Sequence, residues 1–242
     1  MAINRNSWQG KLGLATVSLV AIFVLAPAGL SQAHESTSVL LYDNFTKDTQ
    51  RKPTLWATNT AFLDNLAAVA WGSTYVTPTL TLSRKAGMQM TFPANWYTMT
   101  GVQSVSAFSP PFTVNAVAEP VAGISNPFAV YLFSADFAQY VDVECNMGAY
   151  YGCWVNAQDI SEIFFASPQY DTVYAVQIMV NDKGAATAKI GSGGKALATV
   201  KGLEVGGTGP FYLVLGQRIG LPPRLTTQVG NWFSAKVSTP LN

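Results

Sequence analysis

An all-β fold, a two-sheet antiparallel β-sandwich, is what this sequence predicts, and three observations predict it. Roughly a dozen short runs rich in Val, Thr, Tyr, Phe and Trp follow one another, with Gly, Pro, Asn and Asp between them at sandwich spacing. The composition agrees: 49% of the 242 residues are hydrophobic, 12% are aromatic and only 11% are charged, which suits half-buried sheets. There is no βαβ rhythm and no repeat of solenoid period. Fourteen basic residues nearly balance thirteen acidic ones. No basic run stands out, so neither a nucleic-acid partner nor an anionic membrane surface is implied.

The start of the chain is read separately from the fold. Arg5 and Lys11 precede an uncharged apolar run, Leu12–Ala26, and Ser31-Gln32-Ala33 supplies small residues for cleavage. This pattern predicts a secretory signal peptide over residues 1–33 and a single sandwich domain over 34–242. An uncleaved anchor is the alternative, but the run is shorter than the roughly 20 residues a membrane span needs. No later stretch is long and apolar enough to span. The mature chain is therefore expected to be secreted, periplasmic or at the cell surface, with no membrane attachment after cleavage. Cys145 and Cys153 are the only cysteines, and in an exported chain two cysteines suggest one disulfide. Free thiols are the alternative; a metal pair has no His or further Cys beside it.

Along the domain, Leu40–Phe45 reads as the entry strand, and Asn44-Phe45-Thr46 is a formal glycosylation sequon. Thr46–Pro53 is polar and turn-like. Leu55–Ala61 and Ala67–Trp71 read as strands around Leu63-Asp64-Asn65. AFLDNLAAVAW also satisfies a short helix, and the strand-rich surroundings favour strand. Tyr75–Ser83 alternates, with Pro78 marking an edge or early position. Met88–Phe92 and Gly101–Ser106 follow. Pro110-Pro111 breaks the ladder, and Phe112–Glu119 restarts it with Phe112, Val114, Ala116 and Ala118 on one face. Ile160–Gln169 is the one helical or loop candidate beyond the central hairpin. Thr172–Asn181 is a strand that turns at Asn181-Asp182-Lys183-Gly184 into Ala185–Ile190. After Gly191–Gly194 comes Lys195–Lys201. Phe211–Gln217 reads as a buried strand, and Trp232–Ser238 closes the domain. Gly191–Gly194 and Gly206–Gly209 lack the strand–loop–Lys–helix context of phosphate loops and read as β-turns.

The most informative stretch is Asn126–Asn156. Gln139–Asn146 alternates, with Val141, Val143 and Cys145 on one face and Tyr140, Asp142, Glu144 and Asn146 on the other. The apolar set should face a core and the polar set water. The chain returns as Tyr150–Asn156. Pairing Cys145 with Cys153 places Glu144 opposite Trp154 and Asp142 opposite Asn156. One face then carries Tyr140, Asp142, Glu144, Tyr150, Trp154 and Asn156. Rings among carboxylates and amides suit a sugar, whose C–H faces stack and whose hydroxyls need donors and acceptors. The bland alternative is an ordinary solvated sheet face.

The residues FSPPFTVNAVAEP, NPFAVYLFSADFAQYVDVECN, YYGCWVN, DTVYAVQIMVNDKGAATAKI and GTGPFYLVLGQR lie between Phe108 and Gly220. In that order they resemble the later strands of the concanavalin A-like lectin/glucanase superfamily. The resemblance implies a laminarinase-like or LamG-type jelly roll with one concave, glycan-holding sheet. The laminarinase-like glycosidases of that superfamily carry Glu-x-Asp-x-Glu on a groove strand, the first Glu as nucleophile and the last as general acid/base. The match here is Tyr140-Val141-Asp142-Val143-Glu144. Glu144 then takes the acid/base position and Asp142 the assisting one, while Tyr140 stands where the nucleophile should be. That departure removes the carboxylate a retaining hydrolase needs.

Asp142 and Glu144 are the candidate catalytic residues. On one strand face their α-carbons are about 6.5–7 Å apart, close enough for the ~5–5.5 Å carboxylate spacing of a retaining pair. Their alternative role is to accept sugar hydroxyls. Trp154 is the candidate stacking platform, extended by Tyr131 and Phe133 unless these are core. Gln217 and Arg218 end a buried strand near the groove. His34 is the only histidine and precedes the fold, which argues against Ser-His-Asp and His-based zinc chemistry. No cofactor is expected. Oxygen ligands for a structural calcium exist at Asp43, Asp136 and Asp182, without EF-hand spacing. The expected partner is a polysaccharide or other glycan, and the first expectation a lectin-like binding domain. The alternatives are a glycoside hydrolase or lyase using Glu144 and Asp142, and a structural or adhesive envelope domain.

Overall fold

The computed structural model describes residues 37–93, 97–121, 128–147, 151–219 and 227–240. The proposed signal peptide, His34 and Tyr150 lie outside them. In chain order the elements are β1 (Thr37–Asn44), β2 (Trp56–Ala57), α1 (Ala61–Trp71), β3 (Thr74–Tyr75), β4 (Thr79–Ser83), β5 (Gly87–Pro93), β6 (Thr98–Ser104), β7 (Phe112–Glu119), β8 (Phe128–Ser134), β9 (Tyr140–Asn146), β10 (Gly152–Ala157), β11 (Ile160–Phe165), β12 (Tyr174–Val180), β13 (Ala185–Ser192), β14 (Lys195–Glu204), β15 (Phe211–Ile219) and β16 (Thr227–Pro240).

Two sheets form. One runs β14-β13-β12-β7-β16-β5-β4, with β1 on β16; the other runs β11-β10-β9-β8-β15-β6-β2, with β3 beside β6. All pairings but the short β3–β6 contact are antiparallel. Period-2 alternation decides which side of each strand enters the core. In β7, Phe112, Val114, Ala116 and Ala118 are buried and their neighbours half-buried, as the sequence pattern requires. They meet Val141, Val143, Leu213 and Leu215 of the second sheet in one continuous core. Each such side chain contributes about 1.5–3 kcal/mol by leaving water.

The outer face of the second sheet carries a second, smaller cluster, because α1 packs there. Leu63, Leu66 and Ala67 of the helix lie on Met99 of β6, Val214 of β15, and Ala129, Tyr131 and Phe133 of β8. This corrects the strand expectation for AFLDNLAAVAW; only Trp56 and Ala57 of that region are strand. The helix forms because its ends are satisfied. The Thr60 side chain accepts from the Leu63 amide, and Gly72, at φ 60°, closes the last turn with its N–H toward Ala67 and Ala68. A second correction concerns the helical or loop candidate Ile160–Gln169. Its first part is β11, an edge strand on β10.

The hairpin β9–β10 has the register its cysteines suggested. Cys145 faces Cys153, Glu144 faces Trp154, and Asp142 faces Asn156. Cys145 and Cys153 are disulfide-bonded, with α-carbons 3.9 Å apart, and both are buried. The bond closes a short loop, a sequence separation of 8. By loop-closure entropy it should stabilise the fold by about 2.5 kcal/mol. Replacing both cysteines with alanine should lower the unfolding free energy from denaturant titration by about that amount, with a lower midpoint. An unchanged midpoint would count against a stabilising role.

Candidate functional site

Because β9 and β10 bury their odd-numbered residues inward, the even-numbered ones stand on the outer face beside α1. They line a groove of about 780 Å3. Its floor is Tyr140, Asp142, Glu144, Asn146, Trp154 and Asn156; Phe133, Phe137, Arg218, Gln158–Ser161 and Val69 of the helix complete it. The structure thus brings together Tyr140, Asp142, Glu144, Trp154 and Asn156, as the alternation predicted.

Gln217 is the exception. It is fully buried, and it shares the parity of Leu213 and Leu215, whose side chains enter the core between the sheets. It does not line the groove, and among the described residues neither of its amide atoms has a hydrogen-bond partner. The next residue, Arg218, takes the groove position instead. Asp142 departs from expectation in another way. It lies on the groove face but is 1% exposed, so it is a buried carboxyl at the bottom of the site, not a solvated one.

The polar floor is tightly connected. The Ser161 hydroxyl donates to Asn156 Oδ1 at 2.6 Å, and Asn156 Nδ2 donates to Asp142 Oδ1 at 2.7 Å, so three neighbouring strands share one chain of hydrogen bonds. Glu144 accepts from Arg218 Nε at 3.1 Å, from Arg218 Nη2 at 2.8 Å and from the Tyr131 hydroxyl at 2.7 Å. A forked Arg–carboxylate contact of this kind fixes both side chains. Gly216 makes room for it: a Cβ there would sit 2.6 Å from the Thr100 carbonyl oxygen and 3.4 Å from the Tyr131 ring. Apolar surface flanks these groups. Tyr140 stacks on Phe133 with centroids 5.0 Å apart and planes 9° apart.

The environment sets the charge states. Burial pushes the Asp142 carboxyl well above its ordinary 3.8; the Glu144 charge raises it further, against the Asn156 hydrogen bond and the Arg218 charge. Burial likewise raises the Tyr131 hydroxyl well above its ordinary 10.0, with the Glu144 charge adding to it. Burial and then the Asp142 and Asp159 charges raise the Tyr140 phenol.

A pH dependence follows for Asp142. The unfolded chain ionises this group near 3.8, while the folded chain holds the proton. Folding therefore loses stability as pH rises through that value, until the folded group itself ionises. Asp142→Asn keeps the shape and removes the titration. The wild type should lose stability relative to the variant as pH is raised from about 4 toward neutrality. Denaturant midpoints measured across that range check this, and parallel curves for the two proteins would refute it.

The candidate calcium ligands do not come together. Asp43 is buried beneath β1, where it accepts from Trp56 Nε1 at 2.9 Å and pairs with Lys52, which also pairs with Asp48. Asp136 accepts from Ser134 and the Ala138 amide in the β8–β9 turn, and Asp182 is exposed in the β12–β13 turn. Among the described residues no group of three His, Cys, Asp or Glu side chains could hold a metal ion. No described helix is long and apolar enough to cross a membrane.

No protein-family model matches the chain, and no curated protein does. Solved structures do. The endo-β-1,3-glucanase of Pyrococcus furiosus superposes with a TM-score of 0.59 at 13% identity, over 90% of this chain and 100% of that one. LamA of Z. galactanivorans, in complex with laminaritriose and laminaritetraose, gives 0.61 at 11%, over 84% and 99%. β-Agarase A of Zobellia galactanivorans gives 0.56 at 12%, over 85% and 93%. The fold is the concanavalin A-like jelly roll. At these identities the likeness is one of shape. Within this jelly roll the helix α1, the less favoured of two readings of its sequence, and the Tyr131–Glu144–Arg218 contact define the groove as much as the alternating hairpin does. Thr60 and Gly72 around Leu63, Leu66 and Ala67 were the signal for the helix.

Proposed function

We propose that the chain is an exported, lectin-like domain that holds a glycan in the groove over β9 and β10 without cleaving it. Support for the sugar comes from the groove lining: Trp154 and the Phe133–Tyr140 pair beside Asn156, Glu144 and Arg218. Such a mixture matches the alternating apolar and hydroxyl-bearing surface of a saccharide. Support for export comes from the signal-type start and from a disulfide that persists in oxidising surroundings.

What favours binding over hydrolysis is Tyr140, which stands in the groove where the sequence resemblance implies a nucleophilic carboxylate. Its raised phenol pKa keeps it neutral near pH 7, so it supplies no anion to attack an anomeric carbon. Glu144 accepts three hydrogen bonds, which fix its carboxylate oxygens in the groove wall.

Glycoside hydrolysis is the second reading, and the fold neighbours favour it, since those named above are a glucanase and an agarase. Asp142, kept protonated beside Glu144, is the acid that such chemistry would call on. One experiment separates the two: a glycan array and a reducing-sugar assay on a polysaccharide panel, each with wild type and Glu144→Gln. Array binding without sugar release supports the lectin. Sugar release abolished by Glu144→Gln supports the hydrolase and overturns the lectin. No signal in either leaves a structural or adhesive role.

A further inference from the structure

The outer face of the second sheet is divided in two. Over β9, β10 and β11, with Phe133 of β8 and Arg218 of β15 at its margin, it is the groove. Over β8, β15 and β6 it is covered by α1, whose Leu63 and Leu66 are fully buried on Tyr131 and Val214. One row of paired residues crosses both halves. It runs from Ser161 through Asn156 and Asp142 to Tyr131 and then Val214. The first three form the hydrogen-bonded floor of the groove; the last two lie under the helix.

We infer that the groove receives the end of a glycan chain, or a free oligosaccharide, and not an internal stretch of a long polymer. The inference rests on the glycan-binding reading above. A polymer lying across the strands meets α1 after crossing β9. Val69, 67% exposed and lining the groove, is the part of the helix it would meet.

This wall is firmly held. The Thr60 hydroxyl bonds Gln103 Oε1 at 2.6 Å at the start of the helix, and Phe62 stacks on Phe137 with centroids 5.0 Å apart. Displacing it would expose two buried leucines, each worth about 1.5–3 kcal/mol. Along the strands, the β8–β9 and β10–β11 turns bound one end of the groove, with Phe137, Gln158 and Asp159 in its lining. The Gln158 amide is hydrogen-bonded to the Ala138 carbonyl, which ties the two turns together. The side over β11, an edge strand with an exposed Ser161, is open to a ligand.

The test counts binding sites per gram of polymer. Laminarin, lichenan, agarose and xylan are each presented to the full chain intact and after partial acid hydrolysis, with Trp154→Ala as control. Shortening the bound polymer about tenfold should raise molar capacity per gram about tenfold, since each chain offers one end to a bounded pocket. Capacity that does not change with chain length overturns the inference and leaves glycan binding intact. Binding to none of the four overturns both, and binding undiminished by Trp154→Ala places the glycan outside the groove and overturns the inference.

Discussion

Trp56→Ala should lower the stability of the fold by about 5 kcal/mol, the largest effect expected of any single substitution here. The indole is fully buried, packs on Phe45 at 5.9 Å, and donates through Nε1 to Asp43, itself 1% exposed. Truncating a buried Trp costs about 3–5 kcal/mol through lost contacts and the cavity. Leaving Asp43 short of a donor adds about 1–3 kcal/mol, since a buried acceptor without its partner keeps its desolvation penalty. Trp56→Phe isolates the second part and should cost about 1–3 kcal/mol. Guanidinium titrations of both variants check the separation. Equal losses would mean that the Asp43 contact accounts for all of the effect.

Trp154→Ala should weaken glycan binding about 30-fold or more while leaving the domain folded. Buried indoles at binding sites commonly carry 2 kcal/mol or more, and about 1.4 kcal/mol is a factor of ten in affinity. Trp154 is half-buried on β10, opposite Glu144 and in the groove lining. Trp154→Phe keeps a flat apolar surface and should recover part of the loss. The measurement is calorimetric titration with whichever oligosaccharide the array selects, alongside a thermal midpoint. Undiminished affinity in a folded Trp154→Ala protein would place the sugar elsewhere.

Legibility in the sequence followed exposure. β9 and β10 have one face in the core and one on the groove, so their letters alternate; that alternation, with the register set by pairing the two cysteines, carried five groove residues. β8 and β15 are covered on both sides, one by the other sheet and one by α1, so their letters are apolar without a period. Parity there could not be read, and Gln217 was assigned to the groove where Arg218 belongs. Nor could it show that Tyr131 donates to Glu144. Asp142 sits on the face that alternation assigns to water, yet it is buried there with its carboxyl accepting from Asn156, a burial that a strand pattern alone does not reveal. The helix was lost to context, because eleven mostly apolar residues inside a β-rich chain suit either structure until their caps are weighed.

The bond between Cys145 and Cys153 has a consequence beyond its energy. Sliding β10 past β9 by a single residue would turn Trp154 and Asn156 toward the interior and present Val155 to the ligand, while Glu144 kept its place. A covalent tie at one rung forbids that slip, so the chemistry of the groove becomes conditional on an oxidised pair of sulfurs lying on the opposite side of the same sheet.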